Sequence, residues 1–493
     1  MSDVGDAEEV GVVAQTEGAE PAGGLERVTL VTLTAMVVGG MVGAGVFSLP
    51  RRFATETGVY GALIAWAIAG TGMLMLAFVF QTLAVRKPTL DSGVYAYAKA
   101  GFGEYLGFFS AFGYWASACA GNVTYWVLIM STVGGIASWL GEGDTLPAFL
   151  LSTVGIWLFA ALILRGVREA ATINKIVTVA KVIPILVFAV VCLFMLDLDV
   201  FRDNVSGGDG VGSLLDQVSG TMLATVFVFL GVEGASVYSR YAQRREHVGR
   251  ATVLGFLSVL SIFATVTIVS YGILPREEIA ELRQPSMAGV LEEAVGAWGE
   301  VFVSVGLIVS VLGAYLAWTL MAAEVLFVAA KDRDMPRFLT RVNGVDAPVT
   351  ALVMTTVLIQ LMLVVTLVSE DAFNFVLNMT SALTLIPFVL CAAYLLKLAV
   401  TRESYDDRPE GRTRDLVVAG VATLYTLFLL YAAGPRYMLL SFVIYAPGTV
   451  LFVMTRREQG RRLFSPPELV ILGITIVLAI VGVAGLVGGW ITV

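Results

Sequence analysis

Histidine occurs once in this 493-residue chain, as His247, and cysteine three times, as Cys119, Cys192 and Cys391, each inside an apolar run. Histidine-ligated metal centres, acyl transfer through a histidine base, thiolate metal sites and a disulfide framework are therefore set aside. Charge is also scarce: 14% of residues are Asp, Glu, Lys or Arg, against about 25% in a soluble domain. So few charges cannot cover a soluble surface, so the usual allowance of about 150 residues per domain has no force here. What is abundant is apolar residue, 57% of the chain, together with 51 glycines. Repeated apolar stretches of about 20 residues predict an all-α polytopic membrane protein. No catalytic residue, metal or cofactor is expected, and no nucleic-acid partner.

The net charge of −8 is misleading until it is located. Residues 1–26 carry seven acidic side chains (Asp3, Asp6, Glu8, Glu9, Glu17, Glu20 and Glu26) and no Lys or Arg. Like charge and low hydrophobicity make this a disordered cytoplasmic tail in expectation, and it lacks the basic start of a signal peptide. The remaining chain is close to neutral.

Thirteen hydrophobic segments are expected, at 28–50, 59–84, 107–133, 146–164, 176–198, 215–238, 251–274, 297–328, 348–368, 373–397, 415–433, 437–455 and 468–491. Basic residues are retained on the cytoplasmic side. With the N-terminus inside, the inner loops hold 24 of the 31 basic residues, the outer loops six, and Lys181 lies within a segment. The predicted topology is N-in and C-out, in a cell membrane crossed many times. The long outer loops carry Glu142, Asp144, Asp203, Asp209, Glu277, Glu278 and Glu281, either an acidic vestibule that gathers cations or ordinary solvated loops.

Two segments carry their own interruptions. Residues 39–50 read Gly-Gly-Met-Val-Gly-Ala-Gly-Val-Phe-Ser-Leu-Pro, and each interior glycine costs about 1 kcal/mol relative to alanine in a helix. Segment six contains Gly231-Val232-Glu233-Gly234. Freed backbone at membrane depth is tolerated only where protein or a cavity covers it. Interruptions at matching places in two halves point to a transport site between inverted repeats, although small residues also mark tight helix packing. The breaks fall near Gly43 with Gly45 and near Gly231 with Gly234. The corresponding divisions are residues 27–200 (segments 1–5), 201–400 (segments 6–10) and 401–493 (accessory segments 11–13).

At these residues the chain resembles the amino acid–polyamine–organocation superfamily, and within it the basic amino-acid antiporters. Gly43-Ala44-Gly45-Val46-Phe47 followed by Leu49-Pro50 is similar to their first-helix signature, and Gly231-Val232-Glu233 to the sixth-helix one. Trp318-Thr319-Leu320-Met321-Ala322-Ala323-Glu324, continuing to Ala330-Lys331-Asp332 and Met335-Pro336, resembles the eighth helix of arginine/ornithine exchangers and lysine permeases. The resemblance covers about residues 27–400 and implies a leucine-transporter-like fold of five plus five inverted helices.

The interruption at segment one exposes the amides of Ala44 and Gly45 at the start of a half-helix, whose positive end suits a carboxylate. Carbonyls freed around Met41, Phe227 and Leu230 can accept from an α-ammonium, and the resemblance gives these positions the same roles. It also places Ser117, Ala118 and Asn122 along the substrate side chain with Thr380 opposite. Trp318 can face a distal cation, a contact worth about 0.5–2 kcal/mol. Related arginine/agmatine exchangers have tryptophan at the place of Phe227, which implies a weaker gate here.

Two charges remain inside the membrane. Glu233 at bilayer depth must be paired, protonated or hydrated; it can balance a cationic substrate, titrate during transport, or brace the broken helix. Lys181 resembles the lysine whose ammonium replaces a sodium ion in some superfamily members; it can equally carry a proton or snorkel to the inner surface. The resulting expectation is a sodium-independent exchanger of cationic amino acids, arginine in and ornithine out, with a proton-coupled lysine or arginine permease as the alternative. The bilayer and the cationic substrates are the expected partners, and a homodimer is left open.

Overall fold

The computed structural model describes residues 29–492 apart from 91–92, 167–169, 209, 234–244 and 406–409. The acidic tail and Gly234 therefore lie outside the described residues. Within them the architecture is all-helical, and β structure is limited to an isolated bridge between Val342 and Pro348.

Helix α1 (Leu30–Met41) stops at the glycine-rich interruption. Gly43 is extended, a 3₁₀ turn follows over Ala44–Ser48, and α2 (Leu49–Glu56) completes the segment. The two limbs, Leu33–Met41 and Ala44–Glu56, are bent by 48°. Helix α3 (Val59–Arg86), the short α4 (Val94–Phe102), α5 (Glu104–Gly134), α6 (Leu146–Leu164) and α7 (Ala170–Phe194) follow. A short α8 (Leu198–Asp203) leads to α9 (Leu214–Phe229), whose start is set by a capping box between Ser213 and Asp216. Then come α10 (Arg245–Ser270), the loop helices α11 (Arg276–Glu281) and α12 (Ser286–Val295), and the long α13 (Ala297–Lys331). The chain closes with α14 (Val349–Val365), α15 (Ala372–Thr401), α16 (Arg412–Glu458) and α17 (Pro466–Val487), the last opened by a Ser465–Glu468 capping box.

Among the described residues eight helices are long and apolar enough to cross a bilayer, or nine if the bent pair counts as one span. Three shorter apolar helices, Lys181–Phe194, Leu214–Phe229 and Val349–Val365, lie among them. Helix α16 has 47 residues but is not straight: Gly434 takes φ +66 and ψ 173, between the two segments expected at 415–433 and 437–455.

Burial orders these helices. Helix α5 is almost wholly enclosed, with α13, α14 and α15 packed around it. Helices α6 and α17 are the least covered, and apolar side chains such as Val154, Leu158, Val477 and Ile480 face outward. That is the inverse of a soluble protein and is what a hydrocarbon solvent requires. Close packing around α5 depends on small residues: a Cβ at Gly113 would run into the Tyr445 hydroxyl of α16. Replacing Gly113 with Val is predicted to cost about 1–3 kcal/mol by overpacking, read as a lower melting temperature in detergent; unchanged melting would contradict this packing.

Candidate functional site

The two interruptions meet. Gly231 has φ +102, a backbone conformation that suits glycine, and a Cβ there would lie 2.6 Å from the Gly40 carbonyl oxygen. A Cβ at Gly45 would lie 2.6 Å from Val228 Cγ1 and 2.8 Å from Phe227 Cδ1. Glycine at 45 and 231 is thus what lets the first and sixth segments touch at their breaks. Helix α9 ends at Phe229, with Leu230 and Val232 donating to the carbonyls of Phe227 and Phe229 in tight turns.

A small cavity of about 30 Å³ lies beside this crossing, tighter than the roughly 300–1,000 Å³ of small-molecule sites. Met41, Gly43, Ala44, Gly45, Ser117, Ala118, Phe227, Leu230, Trp318, Thr380 and Lys181 all line it. Gly40, Gly121, Tyr125 and Ala314 complete much of the wall.

Asn122 is the exception among the expected substrate contacts. It does not line the cavity, it is fully buried, and neither polar atom of its amide has a hydrogen-bond partner among the described residues. On α5 the wall is instead built from Ser117, Gly121 and Tyr125, one residue every four. That repeat was available in the sequence, and Tyr125 is the aromatic position it identifies.

The serine and threonine hydroxyls in the wall are already engaged. Ser117 Oγ donates to the Thr380 carbonyl at 2.7 Å and pairs with Thr384 Oγ1 at 2.5 Å, while Thr380 Oγ1 donates to the Val376 carbonyl at 2.8 Å. These bonds hold α5 against α15. Trp318, half-buried, contributes to the cavity wall, and no carboxylate lines it among the described residues.

Glu233 lies off the wall, 7% exposed. Its Oε1 accepts from Tyr114 Oη at 2.5 Å and its Oε2 accepts from the Gly231 N–H at 3.1 Å. The carboxylate therefore ties the broken sixth segment to α5. Tyr114 carries no sequence motif of its own; its relation to Glu233 exists only in three dimensions.

Polar links close the structure at both ends. Arg52, 6% exposed on α2, donates from Nη2 to Asn378 Oδ1 on α15 at 3.0 Å, and Asn378 Nδ2 donates to Tyr437 Oη at 3.0 Å. Arg51 bridges Glu142 at 3.2 Å and Asp371 at 3.8 Å. At the opposite end Lys99 pairs with Asp334 at 2.5 Å and Tyr95 donates to Asp332 at 2.6 Å. Burial pushes the Asp334 carboxyl above the ordinary carboxylate range, against the pull of Lys99. Glu324 stands near this end of α13 and does not reach the cavity.

Residues 28–455 match the family model described as "Amino acid permease". The arginine/ornithine antiporter of Pseudomonas aeruginosa is 46% identical over 475 residues, 95% of this chain and 98% of that one. The L-lysine transport protein of Corynebacterium glutamicum is 38% identical, with 97% and 98% covered. An arginine/agmatine antiporter of Chlamydia pneumoniae is 35% identical, with 89% and 93% covered. With a family model spanning most of its length and relatives matched nearly end to end, the chain belongs to the amino acid permease family of multi-pass membrane transporters, not to a class of enzymes.

Proposed function

We propose that this protein is a sodium-independent antiporter that exchanges cationic amino acids, arginine for ornithine, by alternating access across the cell membrane. The observation that carries the reading is the cavity at the two facing breaks, bounded by free backbone and Trp318, in a chain so similar to an arginine/ornithine antiporter. The amides of Ala44 and Gly45 take the carboxylate, and carbonyls near Met41, Phe227 and Leu230 take the α-ammonium. The distal cation lies against Trp318, flanked by Ser117, Ala118 and Thr380. The buried ammonium of Lys181 in the cavity wall supplies a fixed positive charge and removes the need for sodium.

The architecture we assign is thirteen spans, N-in and C-out. It counts the bent first segment as one span, the three short apolar helices as spans, and α16 as two divided at Gly434. The halves are residues 27–200 and 201–400, related as inverted five-helix repeats, with accessory helices in 401–493. Arginine and ornithine each carry net charge +1, so their exchange is electroneutral and the membrane potential does not oppose it.

A proton-coupled lysine or arginine permease is the second reading, favoured by similarity to the lysine transport protein and by Lys181 in the wall. Purified protein in liposomes separates the two. Exchange predicts uptake of labelled arginine only when ornithine is inside, without sodium; uptake into empty vesicles driven by a pH gradient would hand the case to the permease. For Glu233 the contacts support bracing, which Gln can largely reproduce. Replacing Glu233 with Gln should leave the melting temperature nearly unchanged, whereas Ala should cost about 1–3 kcal/mol by stranding the Gly231 N–H. Equal melting of both variants would contradict the brace, and abolished exchange in a stable Gln variant would assign the charge itself to transport.

A further inference from the structure

The amide pair at Ala44 and Gly45 offers two donors, while a carboxylate has about four lone-pair sites to fill. Another donor stands beside them. Tyr125 lines the same cavity from α5 and is 6% exposed. Its Oη is the nearest atom to a side chain built on Gly43, at 3.7 Å. Gly43 is the N-cap of the half-helix Ala44–Glu56 and supplies no side-chain cap. The phenol therefore sits at the end of that half-helix where its first N–H groups are free.

This hydroxyl has no hydrogen-bond partner among the described residues. Two other buried tyrosines spend theirs on the protein, Tyr271 donating to the Thr57 carbonyl at 2.7 Å and Tyr445 to the Leu383 carbonyl at 3.2 Å, whereas Tyr425 on α16, away from the cavity, also has no partner among the described residues. A buried donor with no protein acceptor calls for a ligand or water. The positive end of a half-helix draws an anion, not an ammonium.

We propose that Tyr125 donates its hydroxyl to the α-carboxylate of the bound amino acid, completing a three-donor subsite with the Ala44 and Gly45 amides. The assignment rests on the amino-acid exchange reading and adds a positioning residue to it. It makes Tyr125 responsible for preferring amino acids over the corresponding compounds without a free carboxylate. Because the hydroxyl has no partner among the described residues, its removal does not weaken the fold.

The test compares wild type with Tyr125→Phe in nanodiscs, displacing labelled arginine with arginine or with argininamide, which keeps both cationic groups but has no carboxylate. Wild type is expected to favour arginine. The variant should lose about tenfold in arginine affinity, the size of a hydrogen bond to a charged group, with argininamide affinity unchanged and melting temperature equal or higher. Parallel loss for both compounds, undiminished arginine affinity, or a lowered melting temperature would overturn the assignment while leaving the exchange reading intact. Wild-type protein that fails to bind arginine would overturn both.

Discussion

Backbone opened inside a bilayer has no water to satisfy it, and each uncovered polar group costs several kcal/mol. The contact between the two breaks answers this constraint, and much of the surrounding architecture follows from it. Gly231 fits over the Gly40 carbonyl and Gly45 fits beneath Val228 and Phe227 because neither has a side chain. Glu233 then accepts from the Gly231 N–H and, through Tyr114, fastens the sixth segment to α5. The enclosure of α5 is the packing counterpart, since the helix facing both breaks is the one screened from lipid.

A site founded on backbone leaves its side chains separate tasks. Ser117, Thr380 and Thr384 join α5 to α15 and fix the width of the cavity. Trp318 and Tyr125 bring aromatic groups to the space itself, and Lys181 brings a charge. Beyond the cavity, Arg52 with Asn378 at one end and Lys99 with Asp334 at the other link different elements. Under the alternating-access reading proposed above, these charge-assisted links are the contacts that opening of either end must break.

Much of the fold was legible because apolar runs and glycine interruptions are local signals. The break at Gly43 and the end of α9 before Gly231 fall where the glycines placed them, and Gly434 interrupts α16 between two expected segments. What could not be read was rotation about a helix axis. Asn122 and Gly121 are neighbours in sequence, yet about 100° apart around α5, and only packing against α13 and α15 decided that Gly121 meets the cavity. Tyr114 was missed for a related reason: its partner lies 119 positions away, so no spacing announces the pair. The carboxylate of Glu233 was found as a charge out of place, but its bracing contacts needed coordinates.

The most direct test is a cryo-electron microscopy map of the protein with arginine bound. The substrate carboxylate is expected at the amides of Ala44 and Gly45 and the guanidinium against the face of Trp318. Arginine bound in the reverse orientation, or outside the crossing of the two breaks, would contradict it.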